Sequence, residues 1–181
     1  YRSSDGSFLE AQDMFRLPGI FRTVALYSVP KVHFRDLVAT PDLDAAYTDG
    51  SLTINADIRN LDKKAAKNYK VYYSLYANKL YSDENTLVDG VLSPVIEKIE
   101  PNETGRIQTV FNVKAPNKWS AEFPYRYTLV AELKDKKNKT IETVSTIVGF
   151  RKVEIKDTPA SADEFGLAGR YYYINGKTVK L

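Results

Sequence analysis

Ser51-Leu-Thr-Ile-Asn-Ala-Asp-Ile-Arg-Asn60 alternates apolar and polar residues one by one. Leu52, Ile54, Ala56 and Ile58 fall on one side of this stretch, and Thr53, Asn55, Asp57 and Arg59 on the other. A strand sends successive side chains to opposite faces, so the segment reads as a strand with one dry and one wet face. A helix would scatter the same apolar residues around its axis. The rhythm recurs downstream at Val71, Tyr73 and Leu75, and at Ile107, Thr109, Phe111 and Val113. It returns at Tyr127, Leu129, Ala131 and Leu133, and at Val144, Thr146, Val148 and Phe150. Upstream, residues 32–40 read as a first strand with looser alternation. No long stretch has a helical period. Short strands joined by polar, Gly- or Pro-bearing links point to an all-β fold, an antiparallel β-sandwich.

The links carry their own signals. Asp62-Lys-Lys-Ala-Ala-Lys-Asn68 joins two strands, and Lys134-Asp-Lys-Lys-Asn-Lys139 reads as a polar hairpin turn. Residues 157–163 form a proline- and small-residue loop. Asn175-Gly176 is the favoured pair for a two-residue hairpin. Boundaries fall near Pro30 and Lys156. Residues 1–29 are then the tail of a preceding domain, residues 30–156 a complete sandwich, and residues 157–181 the start of a further element.

With 181 residues, 43% hydrophobic and 27% charged, the chain has the composition of a soluble globular protein. It has no cysteine, which excludes disulfides, thiolate metal sites and cysteine nucleophiles. A single histidine, His33, argues against a histidine-rich metal site and against a histidine-based triad. The net charge of +3 arises from mixed charges. Its clearest basic cluster is the expected turn at 134–139, so a nucleic-acid partner is not expected. No apolar run approaches the roughly 18 residues of a membrane helix, and no membrane partner is expected. Tyr1-Arg-Ser-Ser-Asp-Gly6 resembles neither an initiator segment nor a signal peptide. The expectation is a piece of a longer protein whose compartment, cytoplasmic or periplasmic, depends on sequence upstream.

Residue spacing alone singles out no catalytic group. Asp42, Asp44, Asp83 and Glu84 read as solvated loop charges. His33 reads as a surface or packed strand residue. Trp119 reads as packing, with a sugar-stacking role as the alternative. Pro124-Tyr-Arg-Tyr127 resembles a tyrosine corner, in which the phenol bonds a nearby backbone group.

Five segments, spread from residue 5 to residue 177, carry a resemblance. Asp5-Gly-Ser-Phe-Leu-Glu-Ala-Gln-Asp13-Met-Phe-Arg-Leu-Pro-Gly19-Ile-Phe-Arg22 is similar to the end of the jelly-roll, sugar-binding domain of glycoside hydrolase family 2 β-galactosidases. Pro30-Lys-Val-His33-Phe-Arg-Asp resembles the opening of that family's immunoglobulin-like domain. Lys118-Trp119-Ser-Ala-Glu-Phe-Pro124 resembles its "W-S-A-E-x-P" segment, and Gly149-Phe150-Arg151 its closing "G-F-R". Ile174-Asn175-Gly176-Lys177 resembles the "N-G-K" hairpin that leads into the catalytic barrel.

The resemblance implies an immunoglobulin-like antiparallel β-sandwich, flanked by β segments of neighbouring domains. It places both catalytic glutamates of the parent in the barrel after the "N-G-K" hairpin, so no residue of this chain is assigned a catalytic role and the chain alone is expected to be inactive. It puts Asp13, in the family's "Q-D-M" motif, at the full enzyme's active site as a substrate and monovalent-cation contact. Phe15 stands where relatives often have Trp. Magnesium and sodium are the ions implied for the parent, and none for the chain alone. The implied partners are a terminal β-galactoside, the other domains of the same polypeptide, and a second copy through the truncated ends. Two alternatives stand beside this reading. One is a β-glucuronidase or β-mannosidase of the same family. The other is a freestanding carbohydrate-binding sandwich, which needs an exposed aromatic cluster such as Tyr171, Tyr172 and Tyr173.

Overall fold

The structure, a computed structural model, describes residue 20 and residues 22–179. Its centre is β2 (Gly50–Asn60), in which every second residue is buried from one end to the other. β2 pairs antiparallel with β1 (Val32–Leu43) on one side and β6 (Thr104–Val113) on the other. The facing sheet is built on β3 (Ala66–Asn78), with order β4-β3-β7-β8. It contains β4 (Asn85–Leu92), β7 (Tyr127–Lys134) and β8 (Thr140–Val148), while β5 (Ile96–Ile99) pairs with the start of β3. The chain crosses between the sheets from β2 to β3, back from β5 to β6, and again from β6 to β7. Two antiparallel sheets connected this way form an immunoglobulin-like sandwich.

The alternation places one apolar set between the sheets. Leu52, Ile54, Ile58, Leu75, Phe111, Leu129 and Val148 all lie in a single buried cluster, as their period predicts. The wet face of β2 makes cross-strand pairs instead. Arg106 donates to both carboxylate oxygens of Asp57 at 2.7 and 2.9 Å, which holds Asp57 below the usual carboxylate range. The looser rhythm of β1 has a physical cause in a register shift between Phe34 and Asp36 against β2. A bulge adds one residue to a strand and turns the following side chains to the other face.

Two polar groups inside the sandwich need separate accounts. Asn60, at the end of β2, is wholly buried. Its amide donates to the carbonyls of Lys64 and Ile99 at 2.9 and 3.0 Å, and its carbonyl oxygen accepts from the Asp62 backbone N–H at 2.9 Å. It therefore ties the β2–β3 crossover to β5. Tyr73 and Thr109 bring buried hydroxyls to the core from opposite sheets, and neither has a hydrogen-bond partner. Burial pushes the Tyr73 phenol up to about 12.

The hairpin turns at 134–139 and at Asn175-Gly176 form as read, while the link read at 62–68 closes earlier because β3 begins at Ala66, and the loop read from 157 begins after the strand that ends at Thr158. In the β7–β8 hairpin the Asp135 carboxylate accepts from the Lys137 and Lys139 backbone N–H groups at 2.8 and 2.9 Å. The basic residues of that cluster sit around a solvated turn. Beyond β8, β9 (Val153–Thr158), β10 (Gly169–Ile174) and β11 (Lys177–Val179) form a separate small sheet of order β11-β10-β9. β9 straddles the position near Lys156 at which the sequence suggests a boundary.

Of the N-terminal segment, residue 20 and residues 22–29 carry no strand, and Val24 and Leu26 stand exposed. At these residues the apolar side chains do not fold back onto the sandwich. Residues 1–19, Asp13 included, lie outside the described residues.

Candidate functional site

The richest convergence of polar side chains lies where the small sheet meets the end of the sandwich. Tyr47, in the β1–β2 loop, donates its phenol hydrogen to the Glu154 carboxylate at 2.6 Å. The Lys156 ammonium donates to the same phenol oxygen at 2.7 Å and lies 3.0 Å from Glu154. The hydrogen bond from Tyr47, reinforced by Lys156, holds Glu154 below its ordinary range. Hydrogen bonding to Tyr47 and Glu154 raises Lys156 in turn. Lys156 also lies over the rings of Tyr47 and Tyr173, and Tyr173 shares a 2.6 Å hydrogen bond with Thr158. Alternation along β9 aims Glu154, Lys156 and Thr158 at this side of the sheet.

The β10–β11 hairpin adds a second clamp. Asn175 and Gly176 have φ values of 51° and 78°, the left-handed pair that a tight hairpin requires. A side chain on Gly176 would meet the Tyr47 ring at 2.7 Å, so glycine is demanded by space as well as by φ. The Asn175 side chain accepts from the Lys152 backbone N–H and donates to the Trp119 carbonyl, both at 3.0 Å. Its backbone N–H donates to the Lys152 carbonyl at 2.9 Å. Lys152 in turn donates from its ammonium to the Leu43 carbonyl at 2.9 Å. The turn is thus bonded both to the strand end after β8 and to the loop before β7.

Trp119 completes the junction. Its backbone N–H donates to the Phe150 carbonyl at 2.9 Å, and the Arg151 guanidinium lies 4.4 Å over its ring. Trp119 is half-buried, with Arg151 covering one face of its ring. Tyr127 behaves as a tyrosine corner, its phenol oxygen accepting from the Asn117 backbone N–H at 2.8 Å. The three consecutive tyrosines alternate and do not form one aromatic platform. Tyr172 faces outward while Tyr171 and Tyr173 lie on the other side, so these three do not make the exposed aromatic cluster that a freestanding carbohydrate-binding module needs.

The remaining sequence candidates are dispersed. His33 shares a 3.0 Å hydrogen bond with the Pro30 carbonyl. Asp42 accepts from the Leu43 backbone N–H and lies 3.6 Å from Lys152. Asp44 accepts from the Thr48 backbone N–H at 2.7 Å, which lowers its pKa. Glu84 pairs with Lys79 at 2.7 Å, and Asp83 sits exposed in the same turn. Among the described residues no three His, Asp or Glu side chains are arranged to hold a metal ion, so no step is assigned here to magnesium or sodium. Asn175 was legible as a turn residue. Tyr47, Lys152 and Glu154 carry no sequence signal for this role, because their partners are distant along the chain.

Nor does any helix among the described residues have the length and apolarity to cross a membrane. The arrangement at the junction is suited to fixing one sheet against another.

Comparison with known proteins gives this junction a context. The β-galactosidase of Priestia megaterium is 40% identical over 157 residues, covering 87% of this chain and 14% of that enzyme. That of Pseudoalteromonas haloplanktis is 38% identical over 157 residues, covering 85% of this chain and 14% of the enzyme. The chain thus spans about one seventh of the length of these relatives. Among solved structures, a β-glucuronidase of Bacteroides uniformis superposes with a TM-score of 0.66 at 18% identity, over 84% of this chain and 17% of the other. A family 2 glycosyl hydrolase of Bacteroides cellulosilyticus gives 0.64 at 19% identity, over 84% of this chain and 18% of the other. At such identities these two show the shared fold alone. The family model for glycosyl hydrolases family 2 matches residues 32–151. That match runs from the first residue of β1 to the arginine stacked on Trp119, and it makes this chain a member of the glycosyl hydrolases of family 2.

Proposed function

We propose that this chain is the noncatalytic connecting domain of a retaining β-galactosidase. Its sandwich would hold the sugar-binding segment before it and the catalytic segment after it at a set spacing and angle. The observation that carries this reading is the junction, where Asn175, Tyr47, Glu154 and Lys156 spend their polar groups on binding the small sheet to the sandwich. The galactosidase assignment is supported by the β-galactosidases at 40% and 38% identity. In the full enzyme two carboxylates would cleave the terminal β-galactoside through a covalent glycosyl-enzyme. Asp13 would contact substrate and a monovalent cation there, with magnesium and sodium as the enzyme's ions. The "Q-D-M" motif supports that role in sequence.

Assaying the 181-residue chain beside the polypeptide encoded by its complete reading frame tests the proposal. The expected result is turnover of a chromogenic β-galactoside, with retained anomeric configuration, by the longer protein alone. Turnover that copurifies with the 181-residue chain would overturn the noncatalytic role. A longer protein that prefers a β-glucuronide would overturn the galactosidase reading.

A further inference from the structure

The β3–β4 connection carries a backbone outlier. Seven non-glycine residues among those described have a positive φ, and four of them are Asn, which tolerates it. Tyr81 has a φ of 60°, at the third position of a turn that the Ser82 N–H closes on the Lys79 carbonyl at 3.3 Å. Glycine or asparagine is the ordinary occupant of such a position. Tyr47, the other left-handed tyrosine, is held by its bonds at the junction. The Tyr81 side chain stands 92% exposed and has no hydrogen-bond or ring partner among the described residues. Strain kept at a ring that adds almost nothing to packing points to a function.

Tyr81 lines an open cleft of about 650 Å³ with Asn78, Asp83, Trp119, Pro124 and Arg126. That volume is in the range of small-molecule sites. The cleft lies between the β3–β4 turn and the loop before β7, which are tied by the Asn78 N–H on the Arg126 carbonyl at 3.1 Å. Three polar groups in it are uncommitted among the described residues. The Arg126 guanidinium and the Asp83 carboxylate have no partner. The Asn78 carbonyl oxygen accepts from the Thr128 hydroxyl at 3.1 Å, which leaves the two amide N–H donors. Lys79 is neutralised by Glu84 at 2.7 Å. One cation and one anion remain, so the cleft has no net charge with which to select an anion.

We propose that this cleft binds a neutral oligosaccharide, with a pyranose ring stacked on Tyr81 and its hydroxyls bonded by Arg126, Asn78 and Asp83. A pyranose presents an apolar C–H face, which suits an exposed aromatic ring. Each sugar hydroxyl both donates and accepts, so its site needs donors and acceptors side by side. Arg126 and Asn78 supply donors only at their free positions, and the Asp83 carboxylate supplies acceptors only. The proposal concerns binding and does not rest on the activity assigned to the longer enzyme.

Titrating lactose into the isotope-labelled 181-residue chain, followed by NMR, tests the proposal. Saturable shifts are expected at the Trp119 indole N–H, the Asn78 side-chain amide and the Tyr81 backbone N–H. Tyr81→Ala should weaken binding about tenfold or more, and Tyr81→Phe should retain it. Tyr81→Gly separates binding from folding. It removes both the ring and the strain, so affinity should fall while the melting midpoint does not. Absence of any saturable shift would show that the cleft takes no such sugar. Affinity unchanged in Tyr81→Ala would place the sugar elsewhere. A midpoint that falls together with affinity in Tyr81→Gly would make the ring a structural element. An equal response to sodium sulfate, lost in Arg126→Ala, would make the cleft an anion site. Each of these four results overturns the proposal.

Discussion

Replacing Asn175 by Ala should detach the small sheet from the sandwich while leaving the sandwich core intact. The side chain makes two hydrogen bonds, with the Lys152 N–H and the Trp119 carbonyl, both at 3.0 Å. Each is worth about 1 kcal/mol. Alanine at a φ of 51° adds about 1 kcal/mol of left-handed strain. The sum is roughly 3 kcal/mol, and Asn175→Gly, which removes the strain, should cost roughly 2 kcal/mol. Because the lost bonds join two bodies, the effect should appear as local opening. Hydrogen exchange read by NMR should show amides of β10 and β11, and that of Lys152, exchanging about 100-fold faster in Asn175→Ala. Amides of β2 and β7 should be nearly unchanged. Unaltered exchange in β10 and β11, or an equal loss across the core, would refute the reasoning.

Leu129 lies wholly buried between the sheets, so Leu129→Ala should cost about 2–5 kcal/mol in denaturant melts, while Thr53→Ala on the wet face should cost under about 0.5 kcal/mol. Tyr73 gives a pH signature. Its folded pKa of about 12 lies above the ordinary phenol value of 10.0, so its contribution is full below pH 10 and is lost as pH rises through the folded value. Alkaline melts should lose up to about 3 kcal/mol between those limits. Tyr73→Phe, which also removes a buried unpartnered hydroxyl, should flatten that loss at no cost near neutrality.

Much of the sandwich is legible because its strands have one dry face. Leu52, Ile54 and Ile58 declare the core by parity alone. The same parity reaches Asn60, a polar residue in a dry position, and its capping of the crossover could have been suspected there. β4 left no such signal. It is an edge strand with nearly all side chains exposed, so no alternation of burial shaped its sequence. β5 has four residues, too few for a period to show. β9 alternates, but its apolar residues point to solvent and its polar ones to the sandwich, the reverse of what alternation usually means. The site was legible only in part. Asn175-Gly176 announces a turn, yet its bonds reach Lys152 and Trp119, 23 and 56 residues away, distances at which pattern carries no information. Asp13 rests on resemblance, outside the described residues.

The central claim is that the chain is a rigid connector, and residual dipolar couplings on the 181-residue protein test it most directly. Backbone couplings from β1–β8 and from β9–β11 are measured in one weakly aligned sample and fitted to the structure. If the junction fixes the small sheet, one alignment tensor fits both sets. Two tensors of different magnitude or orientation would mean that the sheet moves independently, and the connector role would fall.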